Sequence, residues 1–104
     1  MAQTDIVTVV AKIYPKPGKE EDVAALLVQM AQAVTRHEPD CIVYRPHRLA
    51  GNAAGAVFLF YEQYRSMGAF DFHRTAPHLA DFRGQMKDLV TRPTEVEFYT
   101  ALTA

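Results

Sequence analysis

The chain contains no tryptophan, and it has one cysteine (Cys41), one serine (Ser66) and one asparagine (Asn52). A single cysteine excludes an intramolecular disulfide and a cysteine-rich metal centre. The lone serine stands where a helix would begin, so no serine-nucleophile motif is present, and neither a P-loop nor a GxGxxG stretch occurs. Charge of one sign is also lacking: Lys+Arg is 11 and Asp+Glu is 12, a formal net charge of −1. The electrostatic footprint of a nucleic-acid-binding protein is therefore missing. No apolar run approaches the ~20 residues of a membrane span. Met1-Ala2-Gln3-Thr4-Asp5 leads directly into a strand-like segment, without a basic stretch and an apolar signal region. No membrane partner and a cytoplasmic location are expected. At 104 residues the chain has room for one domain, taken as residues 1–104.

What is present is clear hydrophobic patterning. Ile6 to Tyr14 is β-branched and continuous until Pro15 and Pro17-Gly18 stop it, which predicts a first strand. From Lys19 the period changes. Val23, Leu26, Leu27, Met30 and Val34 form one helical stripe, with Glu20, Glu21 and Asp22 at the positive end of the dipole. Glu38-Pro39-Asp40 ends this helix, since the residue before a proline leaves the α region. Ile42 to Leu49 reads as a second strand, in which Pro46 requires an edge position or a bulge. The small, glycine-punctuated segment Ala50–Gly55 connects it to a third strand, Val57 to Tyr64. Ser66 caps a short helix carrying Ala69, Phe70 and His73, and Thr75-Ala76-Pro77 restarts helix with proline in the first turn. Leu79, Phe82, Met86, Leu89 and Val90 form the next stripe, and Thr94 to Leu102 reads as the last strand.

The order β-α-β-β-α(α)-β predicts an α+β, ferredoxin-like β-α-β-β-α-β fold, an antiparallel four-stranded sheet with helices on one face. The first and third strands are apolar on both alternating sets, yet the helices cover one face only. A second copy packed sheet to sheet, a homodimer, is the expected cover.

With these segments placed, the chain resembles the antibiotic biosynthesis monooxygenase family of small dimeric α+β barrel proteins, which includes quinol monooxygenases. The resemblance runs from Ile6 to Tyr99. It is carried by Lys16 to Lys19, by Glu38-Pro39 before Cys41 and Tyr44, by Phe60-Tyr61-Glu62, and by Ala69 to His73 running into Thr75-Ala76-Pro77-His78. Asp40 stands where the family's Glu-Pro-Gly has glycine, which affects a turn. The resemblance implies a homodimer, a cavity between sheet and helices, and oxygenation of a phenolic or quinol small molecule by O2 with no metal, flavin or other cofactor. Relatives of this fold that degrade haem use an Asn, Trp and His set; the missing Trp and the loop position of Asn52 argue against that activity.

Each role in such chemistry has a candidate. His73 projects from the apolar side of its helix and has the side chain best suited to proton transfer at neutral pH. Glu62 alternates with Phe58 and Phe60 on a face that is otherwise apolar, so it needs a partner. His73 is the expected one, with an ion pair to Arg45 or Arg65 as the structural alternative. His73 and Glu62 are thus the expected catalytic pair. Tyr44, Tyr64, Phe60, Phe70, Phe82 and Met86, with Arg74 and His78, are the expected substrate-binding residues. A metal site is not expected: His73 and His78 lie about 140° apart on an ideal helix, with Pro77 between them. His37 and His47 are expected to face solvent. The stretch His73 to His78 also resembles family members that isomerise phosphorylated autoinducer-2, where Arg45, Arg48, Arg74 and Arg83 would hold the phosphate. A non-catalytic dimeric binding or stress protein, with His73 and Glu62 as a structural pair, is the third reading.

Overall fold

The computed structural model describes residues 5–51 and 56–103, so most of the predicted Ala50–Gly55 connection lies outside the described residues. The elements run β1 (Val7–Ile13), α1 (Glu20–His37), β2 (Cys41–Arg48), β3 (Phe58–Tyr64), α2 (Met67–Thr75), α3 (Pro77–Met86) and β4 (Glu95–Tyr99). They form one four-stranded antiparallel sheet in the order β2-β3-β1-β4, the ferredoxin-like arrangement. β2 is an edge strand, which accommodates Pro46 opposite Phe60 without losing an interior ladder bond. The register irregularity falls earlier, between Cys41 and Val43.

Gly18 turns the chain into α1 with φ 85°, a conformation that costs glycine little. The stripe Val23, Leu27, Met30 and Val34 is buried against Ala11, Ile13, Phe58 and Phe60, and these side chains make up most of the core. Each fully buried aliphatic side chain of this kind contributes ~1.5–3 kcal/mol. Ser66 caps α2 by accepting from the Ala69 N–H at 3.1 Å. Ala76 then breaks the helix with φ −71° and ψ 145°, and Pro77 begins α3. This break matters for the site.

The last strand, read from the sequence as Thr94 to Leu102, is shorter, and the end of α3 also differs from the sequence pattern. Leu89 and Val90 continue the apolar stripe of α3, but the helix ends at Met86. The reason is competition for the backbone: the Leu89 carbonyl accepts from the Lys16 N–H at 2.8 Å, the Thr91 N–H donates to Tyr14 at 2.9 Å, and Val90 bridges to Pro15. The segment thus closes onto the end of β1.

The sheet faces differ. Val9, Ala11 and Ile13 of β1 and Phe58, Phe60, Glu62 and Tyr64 of β3 point toward the helices and are buried. On the opposite face Val10 and Leu59 are half-buried and Tyr61 is exposed. Among the described residues, no helix is long and apolar enough to cross a membrane.

Candidate active site

Between the helix-facing side of the sheet and α2 and α3 lies a cavity of about 120 Å³. Its wall combines Val9, Ala11 and Ile13 of β1, Phe60 and Glu62 of β3, Tyr44 of β2, and Phe70, His73, Leu79 and Phe82 of the helices. Arg74, Arg83, Thr94 and Val96 border it. A larger trough of about 880 Å³ lies on the opposite face of the sheet, lined by residues such as Lys12, Arg45, Leu59 and Tyr61. The smaller cavity is the chemical one, because buried titratable groups face it.

His73 is 4 % exposed and Glu38, at the C-cap of α1, is 3 % exposed. The His73 Nδ1 donates to Glu38, 2.9 Å from one carboxylate oxygen and 3.0 Å from the other. A carboxylate only accepts, so Nδ1 carries the proton and Nε2 is the remaining nitrogen of a ring that lines the cavity. Among the described residues, no fully buried side-chain nitrogen or oxygen lacks a hydrogen-bond partner. Nε2 makes no hydrogen bond among the described residues and is thus not fully enclosed, and the ring that carries it lines the cavity. The imidazole is held in an aromatic frame, with Tyr44 5.1 Å and Tyr64 5.3 Å away, ring centre to ring centre.

This corrects one expectation. Glu62 is not the partner of His73; the Tyr64 hydroxyl donates to it at 2.6 Å. The ion-pair alternative fails as well, since Arg65 pairs with Asp40 at 3.7 Å and Arg45 points to the other face of the sheet. The physical reason is the register. Val9 and Tyr44 flank Glu62 on β1 and β2, placing it over the cavity, whereas the C-terminal end of α2 carries the His73 Nδ1 toward α1. Burial pushes the Glu62 carboxyl up to about 7, against the Tyr64 hydrogen bond, which lowers it. Glu38 has the opposite balance: burial raises it, but the hydrogen bonds from His73 and His78 outweigh that and hold it below the ordinary carboxylate value. Glu38 is thus an anion beside the histidine, and Glu62 is a group poised between acid and base. Burial drives the Tyr44 and Tyr64 hydroxyls well above their ordinary value, so both remain protonated donors. Burial likewise pushes the Cys41 thiol up to about 12, which removes it as a nucleophile.

The expected divergence of His73 and His78 is also overturned. The helix break at Ala76 rotates the two histidines onto the same carboxylate, and the His78 Nε2 also donates to Glu38. Glu38, His73 and His78 each bring a ligand-type atom within 4.8 Å of the others. In the sequence Glu38 marks, with Pro39, the end of α1 and one stretch of the family resemblance, and it is not among the expected site residues. The available signal was its spacing: it follows Val34 by four and so continues the buried stripe of α1.

The other expected binding residues divide. Tyr44, Phe60, Phe70, Phe82 and Arg74 line the cavity. Tyr64 lies behind Glu62 as its hydrogen-bond donor, Met86 is buried in the core, and His78 stands on the far side of Glu38, where its ring stacks 5.6 Å from His37. His37 and His47 are exposed, as expected. Of the four arginines expected to hold a phosphate, only Arg74 and Arg83 reach the cavity. Arg48 is engaged by Glu21 at 2.8 Å.

Residues 6–85 match the model of the antibiotic biosynthesis monooxygenase family. The chain belongs to this family. It is 38 % identical over 93 residues to Rv0793 of Mycobacterium tuberculosis, named as a candidate monooxygenase, covering 89 % of this chain and 88 % of that protein. The solved structure of Rv0793 superposes with a TM-score of 0.82 at 34 % identity, covering 95 % of this chain and 97 % of that one. A family protein from Caulobacter crescentus superposes with a TM-score of 0.86 at 22 % identity, covering 98 % and 94 %, and shows the same fold. Membership gives the chain a monooxygenase-like function in general terms.

Proposed function

We propose that the protein oxidises a quinol or hydroxylated aromatic with O2, without a resident metal or flavin, and that His73 is the base. One observation carries this reading: His73 lines an aromatic cavity while Glu38 holds its Nδ1 proton, which leaves Nε2 as the unprotonated nitrogen. A third group that orients a base and stabilises its cation is the usual way to activate an imidazole.

An electron-rich phenol supplies the electrons itself. Nε2 removes the phenolic proton, and the phenolate passes one electron to O2. The resulting radical pair joins at a ring carbon to form a C–O bond. The O–O bond then breaks, the ring C–H proton is lost and a carbonyl forms. The distal oxygen leaves as water with the two protons the substrate gave up. Glu62, poised near neutrality, is the group that protonates this departing oxygen. Tyr44, stacked 4.2 Å from Phe60, directs its hydroxyl at a substrate oxygen. The apolar wall strengthens these interactions by excluding water.

We also propose that a second copy covers the open sheet face. Its half-buried apolar residues Val43, Val57 and Leu59 form one patch with Tyr61, and a twofold axis uses such a patch twice.

The test is oxygen uptake by chelator-treated protein with a panel of quinols and polycyclic phenols, beside His73→Ala. Saturable uptake that falls at least ~100-fold in the variant supports the reading. Uptake no faster than spontaneous oxidation overturns it and directs attention to phosphorylated-sugar isomerisation through Arg74 and Arg83.

A further inference from the structure

The role proposed for His73 accounts for its bond to Glu38 and leaves the second histidine there, His78, unexplained. A histidine needs one carboxylate partner, yet Glu38 is held by two histidines on two different helices, and all three residues sit at the junction of α1, α2 and α3. Among the described ion pairs no lysine or arginine contacts Glu38. Its negative charge is 3 % exposed and is met only by imidazole N–H groups. A buried carboxylate without a permanent counter-charge attracts a cation.

We propose that Glu38, His73 and His78 form a binding site for a divalent transition-metal ion of the Zn2+ class, which occupies the place of the two imidazole protons. Two histidine nitrogens and one carboxylate are a donor set that Zn2+, Co2+ and Fe2+ accept, with positions left open for water. The spacing agrees. Donor atoms bonded to one such ion at ~2.0–2.2 Å stand about 3–3.5 Å apart, and the His73 Nδ1 is 2.9 Å and 3.0 Å from the two Glu38 oxygens, with the His78 donor inside the same 4.8 Å group. The ligands are also held in advance: Glu38 caps α1, His73 lies in the last turn of α2 and His78 in the first turn of α3. A hollow of about 350 Å³ bordered by Glu38, Cys41, Ser66 and Phe72 offers a way in. The balance is simple. Each neutral imidazole gives its lone pair at the bonded nitrogen, and the displaced proton moves to the other ring nitrogen. For His73 that nitrogen is Nε2, so an ion bound here turns the proposed base into a donor and silences it. This consequence rests on the proposed role of His73; the binding site does not.

Co2+ is the probe, because its visible absorption reports coordination directly. Wild-type protein titrated with Co2+ after chelator treatment should develop d–d bands that saturate at one ion per chain. His78→Ala should bind at least ~100-fold more weakly, above the effect of losing an outer-shell partner, while His47→Ala, in β2 and away from the three helix ends, should match wild type. Absorption no different from aqueous Co2+, or a band that His78→Ala leaves unchanged, overturns the proposal. Should His78→Ala fail to fold, imidazole 15N shifts of wild-type protein with Zn2+ decide: changes at His73 Nδ1 and His78 Nε2 support the site, and changes confined to His37 or His47 overturn it. None of these readouts involves oxygen uptake, so the metal site and the monooxygenase reading fail separately.

Discussion

The His73 Nδ1 lies 2.9 Å from a carboxylate oxygen of Glu38, a residue 35 positions earlier in the chain, and both side chains are buried. This pair, rather than His73 with Glu62, sets the tautomer of the imidazole and leaves Nε2 as the unprotonated nitrogen. His73→Ala should lower the oxidation rate by ~10²- to 10⁴-fold, the contribution of a positioned base. Glu38→Gln keeps the shape but no longer stabilises the imidazolium, and should lower kcat with little change in KM. Steady-state oxygen uptake checks both; a Glu38→Gln rate equal to wild type would remove Glu38 from the mechanism.

Glu62 makes stability depend on pH in a defined direction. Its folded-state value is raised from the ordinary 4.5 to about 7, so between these limits the folded protein binds a proton that the unfolded chain has released. Stability contributed by this group is complete below about 4.5 and is lost as pH rises through 7. Glu38 has the opposite sign: its carboxyl is held below the ordinary value, so its contribution is lost as pH falls below the carboxylate range. Urea unfolding from pH 4.5 to 7 should therefore show a shallower decline with pH for Glu62→Gln than for wild type. Identical slopes would show that Glu62 ionises normally.

The Tyr44 hydroxyl makes no hydrogen bond among the described residues, although burial holds it protonated. Removing that oxygen leaves no protein partner unsatisfied. Tyr44→Phe should change stability by less than ~1 kcal/mol while reducing kcat/KM for a phenolic substrate by about 10-fold, the loss of one hydrogen bond to substrate. Thermal unfolding and uptake kinetics on the same preparations separate the two effects. Equal kinetics would place Tyr44 in packing alone.

Tyr61 is 38 % exposed on the sheet face opposite the helices, beside Leu59. If a second copy covers this face, a positive charge there is buried beside the like charge of Arg45, its cross-strand neighbour. Light scattering should find wild type as a dimer and Tyr61→Arg shifted toward monomer. A wild-type monomer would refute the face-to-face arrangement.

Much of this protein is legible along the chain, and the division has a physical basis. Local periodicity and punctuation determined the elements: the α1 stripe, the Ser66 cap, Pro77 in the first turn of α3, and the edge position that Pro46 requires are short-range effects, readable without a partner segment. His73 was legible for the same reason, since its spacing from Phe70 assigns it to the buried face of α2. The end of α3 at Met86 was not, because the backbone of residues 89–91 is bound by β1, far away in sequence. The partners of the two buried acids were not legible either. Strand pairing decided that Glu62 faces the cavity with Tyr64 behind it, and the packing of three helix ends decided that His73 and His78 meet at Glu38. Sequence pattern specifies which side of an element is buried; which buried groups touch depends on register and helix placement, and those exist only once the chain has closed on itself.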